Sequence, residues 1–299
     1  MVNHNGGDEV VESAKSVMDD LTDTDELILV DNGTEDGSGE RTEKAVPRVV
    51  RLHHSENLPF AAATNRGIQY GLENGARYIG LINPDVRILP GMTRELLRAL
   101  ESDSTGRTAV SPVMLYDDAT NTIWYAGGRI LWLLGWFMHR GQGRKAQRAY
   151  HYAGRTGYLT GCCWLAPATL WNRVGLLDDR YGMYAEDADW SIRARRNGCR
   201  LHVVPSALLV HRLSQSSGGG RTLFKLHYRT LASRLFFRMH TPPWARFFQK
   251  VGSWVVEQLY ALFLLLRHDV LAARAYRRAC ATPLGERVPW PPSRPTNVN

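Results

Sequence analysis

The sequence predicts an α/β protein, a mostly parallel mixed sheet flanked by helices, carrying a basic helical extension at its C-terminal end. Three observations lead there. Short apolar runs of strand length occur at Leu27 to Val30, Val49 to Leu52, Tyr78 to Ile82 and His202 to Val204, and segments of helical pattern lie between them. The chain has 299 residues, 44% hydrophobic and 22% charged, which suits one large core and excludes both disorder and a multi-pass membrane protein. The formal charge of +8 is unevenly placed: 24 basic and 26 acidic side chains up to Gly220, then 13 and 3 beyond it.

In chain order, helices are expected over Glu9 to Met18, Thr64 to Glu73 and Thr93 to Glu101, each followed by turn or polar residues. Strands alternating with helices put ligands beyond the carboxyl ends of the strands. Gly127 to Tyr152 breaks this rhythm with an apolar aromatic stretch and then a basic one, and is expected to form a hairpin with a mobile loop. The run Ser214 to Gly220, SQSSGGG, reads as a flexible joint where the charge balance changes. The chain therefore divides into a domain over 1–217 and an extension over 218–299.

In the extension, Arg221 to His240 and Trp244 to Arg267 read as amphipathic helices separated by Pro242 and Pro243, with an extended tail over Pro289 to Pro295. The apolar stretch Trp254 to Leu266 is shorter than the ~20 residues a bilayer crossing needs. Two partners suit it equally, an anionic membrane surface or a protein surface, the latter either the catalytic domain or a second copy in a homodimer. Basic residues interleaved with Leu, Phe and Trp at helical spacing, with no nucleic-acid motif, argue against nucleic acid. Cys162, Cys163, Cys199 and Cys280 show no zinc spacing and are expected to be reduced. Met1 to Gly7 has no basic segment leading into an apolar one, so a cytoplasmic location is expected.

The chemistry-bearing residues fall at strand ends. Asp31 and Asn32 follow the run Leu27 to Val30, where a base or ribose could dock, although turn chemistry alone explains such a pair. Asp85, in Asn83-Pro84-Asp85 after Tyr78 to Ile82, is the natural ligand for Mg²⁺ or Mn²⁺. His211 ends the run Ala207 to Val210, either as a structural histidine or as a second ligand that favours manganese. Glu186, Asp187 and Asp189 precede Arg193, Arg195 and Arg196. A helix N-terminus accounts for Asp189; Glu186 and Asp187 stand where an acceptor hydroxyl would need a general base.

Taken together and in order, these pieces resemble glycosyltransferase family 2, in particular its rhamnosyltransferase-like branch. The resemblance covers most of residues 2 to 217: Val2-Asn3-His4-Asn5-Gly6, Val30-Asp31-Asn32-Gly33-Thr34, Glu56-Asn57-Leu58-Pro59-Phe60, Asn65-Arg66-Gly67, Leu81-Ile82-Asn83-Pro84-Asp85, Gly161, Glu186-Asp187-Ala188-Asp189-Trp190 and Val210-His211. It implies a GT-A fold and an inverting transfer of a sugar, rhamnose or another hexose, from a nucleotide diphosphate donor. The donor would be dTDP-rhamnose or a UDP-hexose. The acceptor would be a glycan, lipid-linked, in cell-surface polysaccharide synthesis, with the enzyme peripheral on the inner face of the cell membrane. By position, Asp31 would contact the base, Asn3, Asn5, Asn32, Asn57, Asn65 and Asn83 would shape the donor pocket, and Asp85 with His211 would hold the metal. Asp187 would be the base with Glu186 beside it, and Gly161 and Trp190 would face the acceptor. The metal motif reads Asn-Pro-Asp, leaving a single carboxylate. The competing expectation is a noncatalytic subunit that binds sugar nucleotide or glycan.

Overall fold

A computed structural model describes residues 1–118, 120–212 and 222–290. The expected joint Ser214 to Gly220 and the tail from residue 291 onward lie outside the described residues.

The N-terminal half alternates as the apolar runs require. Strand β1 (Val2–Asn3), helix α1 (Gly7–Met18), β2 (Leu27–Asn32), α2 (Ser38–Ala45) and β3 (Val49–His54) form a three-stranded parallel sheet in the order β1-β2-β3. Helix α3 (Phe60–Glu73) leads to β4 (Tyr78–Ile82), and Asn83, Pro84 and Asp85 connect it to β5 (Val86–Ile88). After α4 (Met92–Glu101) come β6 (Thr108–Tyr116), β7 (Ile123–Tyr125), the hairpin β8 (Gly128–Leu131) and β9 (Trp136–His139), β10 (Gly154–Arg155), β11 (Cys163–Pro167), α5 (Ala168–Val174), α6 (Glu186–Arg196) and β12 (Arg200–His211).

The second sheet is mixed. Its spine runs β10-β12-β6-β11-β4, with β5 on β12 and β7 on β6. Only β6 and β12 pair in parallel; β11 is antiparallel to both β4 and β6. Antiparallel pairing is thus more common than the alternation of strands and helices suggests, because β11 returns between two strands already in place. The apolar runs around His202 and Ala207 belong to one strand. The register of β12 on β6 slips between Val204 and Leu208, where Pro205 cannot donate to a ladder and so forces a bulge.

The main core joins α1, β2, α4 and β6 to the C-terminal extension. Helix α7 (Leu223–His240) sends Leu231, Ala232, Leu235, Phe236 and Phe237 into it, all nearly inaccessible to solvent. A second cluster holds Trp164, Trp171 and Trp190, with ring centroids 4.4–5.0 Å apart. Helices α8 (Arg246–Leu266) and α9 (Val270–Ala281) pack against α7 through Leu226, Ala261, Leu264, Ala272, Ala273 and Tyr276.

Helix α8 inverts the usual arrangement of an amphipathic helix. Ala261 and Leu264 alone are buried in it, while Phe247, Val251, Trp254, Leu259, Leu262 and Leu266 are all at least half exposed. These positions recur at intervals of three to five residues, so they form one stripe along the outer face. No helix among the described residues is long and apolar enough to cross a membrane.

The hairpin between Gly127 and Tyr152 is present, and its tip is clasped rather than free. A Cβ on Gly252 would lie 1.9 Å from the Leu133 carbonyl oxygen, and one on Gly135 would lie 2.0 Å from Ser253 Oγ. Backbone therefore meets backbone where the β8–β9 turn rests on α8, an approach that only glycine permits.

Candidate active site

A cavity of about 2280 Å³ runs from the carboxyl ends of β2 and β4, past the start of α6, to the faces of α7 and α8. Its chemistry begins at the end of β12. Because β12 pairs antiparallel with β5, His211 lies opposite Val86, and the Arg212 N–H donates to the Asp85 carbonyl at 2.9 Å. This register brings together two side chains 126 positions apart: His211 Nε2 is 3.3 Å from Asp85 Oδ1. Both are buried. Trp124 packs edge-on against the imidazole, with centroids 4.4 Å apart, and His211 Nδ1 has no hydrogen-bond partner among the described residues.

A carboxylate and an imidazole form a mixed oxygen and nitrogen donor set, which suits Mn²⁺ better than Mg²⁺. Among the described residues no cluster of three His, Cys, Asp or Glu side chains could hold a metal alone. Asp85 and His211 could therefore supply only part of a coordination shell, the rest coming from a ligand's own oxygens.

The second chemical centre opens α6. Tyr184 and Ala185 both have positive φ, 72° and 67°, a conformation that costs a side-chain-bearing residue about 1–2 kcal/mol. This turn delivers Glu186 and Asp187 to the cavity wall at the helix N-terminus. Asp187 Oδ2 accepts from the Gly161 N–H and Oδ1 from the Ala188 N–H, each at 2.6 Å. Glu186 is buried, and its Oε2 has no hydrogen-bond partner among the described residues.

Burial raises the pKa of both groups. For Asp187 the rise is opposed by the Gly161 and Ala188 N–H groups and by the charge of Arg229. Glu186 stands well above the usual carboxylate range, because burial is reinforced by the charge of Asp187. One proton shared by the two thus belongs on Glu186, which leaves Asp187 the ionised partner.

The far wall is an amide network. Asn32 Nδ2 donates to Asn57 Oδ1 (3.1 Å) and to the Leu58 carbonyl (2.9 Å), and its Oδ1 accepts from the Leu58 N–H (2.9 Å). His4 joins the two segments, with Nδ1 2.8 Å from the Asn32 carbonyl and Nε2 3.3 Å from Asn57 Nδ2. Asn5, at φ 53°, accepts from the Glu35 and Asp36 N–H groups. Asn83 also faces the cavity, its own N–H fixed by the Cys162 carbonyl at 2.8 Å.

The model for glycosyl transferase family 2 matches residues 1–166. N-acetylglucosaminyl-diphospho-decaprenol L-rhamnosyltransferase of Mycobacterium tuberculosis, found in strains H37Rv and CDC 1551, is 30% identical over 209 residues, 64% of this chain and 68% of the relative. The chain belongs to glycosyltransferase family 2.

Solved structures agree on the architecture. GalNAc-T7 with UDP, GalNAc and Mn²⁺ superimposes with a TM-score of 0.59 at 15% identity, over 78% of this chain and 46% of that one. The present chain thus spans less than half the length of GalNAc-T7. The mannosyltransferase PcManGT of Pyrobaculum calidifontis, in complex with GDP-Man and Mn²⁺, gives 0.56 at 12% identity, over 93% of this chain and 84% of that one. The fold of this family 2 glycosyltransferase is of the GT-A type.

Not every residue singled out in the transferase's sequence reaches the cavity. Asn5, Asn32, Asn57, Asn83, Asp85, Gly161, Glu186, Asp187 and His211 line it, whereas Asn3, Asp31, Asn65 and Trp190 do not. Asp31 is fully buried, with Oδ2 held by Arg51 Nε (2.9 Å) and Nη2 (2.6 Å) and Oδ1 by Asn3 Nδ2 (3.2 Å). It braces β2 against α2, where a Cβ on Gly39 would lie 2.1 Å from the same carboxylate. Asn3 spends its amide on Asp31, Thr34 and Ser38. Asn65 exchanges two 2.9 Å bonds with the Leu177 backbone. Trp190, expected at the acceptor, is packed in the tryptophan cluster and donates to the Gly175 carbonyl at 2.9 Å.

Three contacts at or behind the cavity wall carry roles that the sequence did not indicate. Arg229 of α7 faces the site, its charge acting on Asp187, Tyr158, Tyr184 and His139. Trp290 donates from Nε1 to the Asn57 carbonyl at 3.0 Å, tying the C-terminal segment to the amide wall. Asp189 anchors α6 to α7, accepting from His240 Nε2 at 2.6 Å, Arg193 Nε at 2.7 Å and the Tyr181 hydroxyl at 3.2 Å. Amphipathic spacing marked the helix that carries Arg229; for Trp290 and His240 the sequence holds no comparable signal.

Proposed function

We propose that this family 2 enzyme transfers a sugar with inversion from a nucleotide diphosphate donor to a hydroxyl of a lipid-linked glycan, as a step in cell-surface polysaccharide synthesis. The observation that carries the reading is that two centres, Asp85 with His211 and Asp187 with Glu186, line one cavity. A metal-ion partner for a diphosphate and a base for a hydroxyl are the two requirements of such a transfer.

Asp85 and His211 would hold the divalent cation, Mn²⁺ in preference to Mg²⁺, in keeping with the Mn²⁺ named with both GT-A neighbours. When bound, the cation offsets the negative charge of the leaving diphosphate. Asn5, Asn32, Asn57 and Asn83 form the donor wall. Asp187 accepts the proton of the acceptor hydroxyl while that oxygen forms its bond to the anomeric carbon. The carbon's bond to the diphosphate oxygen breaks on the opposite face, and its electron pair leaves with the nucleoside diphosphate. Glu186, protonated, keeps the position beside the base uncharged.

The L-rhamnosyltransferase relative makes dTDP-rhamnose the first donor to test, ahead of UDP-hexoses, and its N-acetylglucosaminyl-diphospho-decaprenol substrate supports a lipid-linked acceptor. The outward apolar stripe of α8 is flanked by Arg246, Lys250 and Arg267, a pattern suited to an anionic membrane surface on the cytoplasmic side. Transfer from a panel of nucleotide sugars to N-acetylglucosaminyl-diphospho-polyprenol, with Mn²⁺ and with chelator, tests the proposal. Product formation with Mn²⁺ that chelator abolishes is expected. Donor binding without turnover on any acceptor would instead favour a noncatalytic subunit.

A further inference from the structure

Beyond its reacting end, the cavity has a second chemistry. Helix α7 presents several arginines, and two of them are consumed by the fold. Arg234 Nη1 donates to the Ala279 and Thr282 carbonyls, both at 2.8 Å, and Arg238 donates to the carbonyls of Leu284 and Gly285. These two cap the end of α9 and the strap that follows it.

Arg229, about one and a half helical turns before Arg234 and two and a half before Arg238, is different. It is exposed and lines the cavity, and among the described residues no carboxylate lies within ion-pair distance of it. Yet it is near enough for its charge to act on Asp187. A guanidinium without a counter-charge beside a catalytic carboxylate is suited to an anion, and phosphate oxygens match its planar fork.

Farther along, the wall turns apolar. Leu134, Trp136 and Trp254 line the cavity and are also exposed at its rim, 43%, 39% and 61% accessible. They continue into the outer stripe of α8. The clasp of Gly135 and Gly252 holds the hairpin side of this rim against the helix side. The cavity thus offers a carboxylate, a cation and an apolar rim that opens on an apolar surface.

We infer that Arg229 binds the diphosphate of a polyprenyl-diphosphate-linked acceptor, with the first isoprene units lying on Leu134, Trp136 and Trp254. The inference rests on the transferase reading above and adds to it the site of the acceptor's charged linker and lipid. One molecule would meet all three surfaces at once: its sugar hydroxyl at Asp187, its diphosphate at Arg229, its chain at the rim leading to the bilayer.

Farnesyl diphosphate is a soluble probe of this subsite, since it carries the diphosphate and isoprene units without the sugar. Calorimetric titration of the full chain, with and without saturating dTDP and Mn²⁺, measures its binding apart from that of the nucleotide. Wild type is expected to bind farnesyl diphosphate more tightly than either farnesol or inorganic diphosphate. Arg229→Gln should weaken it about tenfold or more, the loss of one charge-assisted contact, and Arg229→Lys should recover part of the loss. Trp254→Ser should weaken farnesyl diphosphate and leave inorganic diphosphate unchanged.

Equal binding of farnesyl diphosphate by wild type and Arg229→Gln, or no preference over farnesol, would overturn the inference. So would an Arg229→Gln variant that loses dTDP instead, since the cation would then serve the donor. Failure of wild type to bind dTDP with Mn²⁺ would count against the donor reading alone, because the farnesyl diphosphate comparison is also made without nucleotide.

Discussion

Replacing Asp187, the proposed base, by Asn changes little in volume, so its consequences can be worked from the two bonds that hold it. Proton transfer by a positioned base contributes roughly 10²–10⁴-fold to a rate, equivalent to about 2.7–5.5 kcal/mol of barrier. The structure adds a separate cost. Both carboxylate oxygens accept backbone N–H groups, from Gly161 and Ala188, and an amide offers only one oxygen. One N–H then faces an NH₂ group and loses its acceptor, which costs about 1–3 kcal/mol of stability. Asp187→Asn is therefore expected to lower kcat by two to four orders of magnitude, while its effect on Tm is the balance of this lost bond against relief of the burial that raises the Asp187 pKa. Donor affinity should survive, because Asp187 does not belong to the amide wall or to the Asp85 and His211 pair.

The pH profile distinguishes this role from a structural one. Burial raises the Asp187 pKa, and a base must be deprotonated to act, so the wild-type rate should fall as pH drops through that raised value. Residual turnover by Asp187→Asn should show no such acid limb. Single-turnover transfer across pH, with nucleotide binding measured on the same samples, provides the comparison. A variant that keeps more than about a tenth of wild-type kcat, or that keeps the acid limb, would refute Asp187 as the base.

Glu186→Gln should stabilise the protein at neutral pH. Its folded pKa is raised, so the favourable contribution of the wild-type acid is complete below its unfolded pKa of about 4.3 and is lost as pH rises through the folded value. Melting at pH 7.5 should show a higher Tm for the variant, with the gain shrinking toward pH 4.5; a lower Tm at pH 7.5 would contradict the assignment. Arg51→Met should cost about 3–5 kcal/mol by leaving buried Asp31 uncompensated, a Tm loss of about 5–8 °C for a chain of this length. Adding Asp31→Asn should recover most of that loss, and a double variant no better than the single would show that Arg51 acts otherwise.

The strand ends were legible because apolar runs of four or five residues stop abruptly at Asp31, Asn83 and His211, and a sheet must end where burial does. That Asp85 and His211 share one site was expected from the resemblance, but the way they meet was not legible. Their contact depends on β5 turning back antiparallel onto β12, and the slip at Pro205 sets which residue of β12 faces Val86. Asp31 shows the limit from the other side. A carboxylate at a strand end can face the ligand or the neighbouring helix, and the choice here was made by Arg51, positioned on β3 within reach of Asp31 across the parallel pair. Trp190 follows the acidic run in sequence, but a helix turns each successive residue by about 100°, so adjacency to Asp187 did not place it on the cavity. The wall contributed by α7 depends on helix packing between distant segments, which local pattern cannot register.

The bond between Asp189 and His240 links the start of α6 to the end of α7. Arg196 Nη1 donates to His240 Nδ1 at 3.0 Å, so the Nε2 nitrogen carries the proton that Asp189 receives. Asp189 is two residues beyond Asp187. A chain cut short at residue 221 would therefore lose the outward apolar stripe of α8, the lining that bears Arg229 and the peg that seats the start of α6, all at once. On the proposed reading, attachment and turnover would share one foundation, and point substitutions on the outer stripe of α8 are the ones expected to release the protein from a bilayer while leaving the chemistry in place.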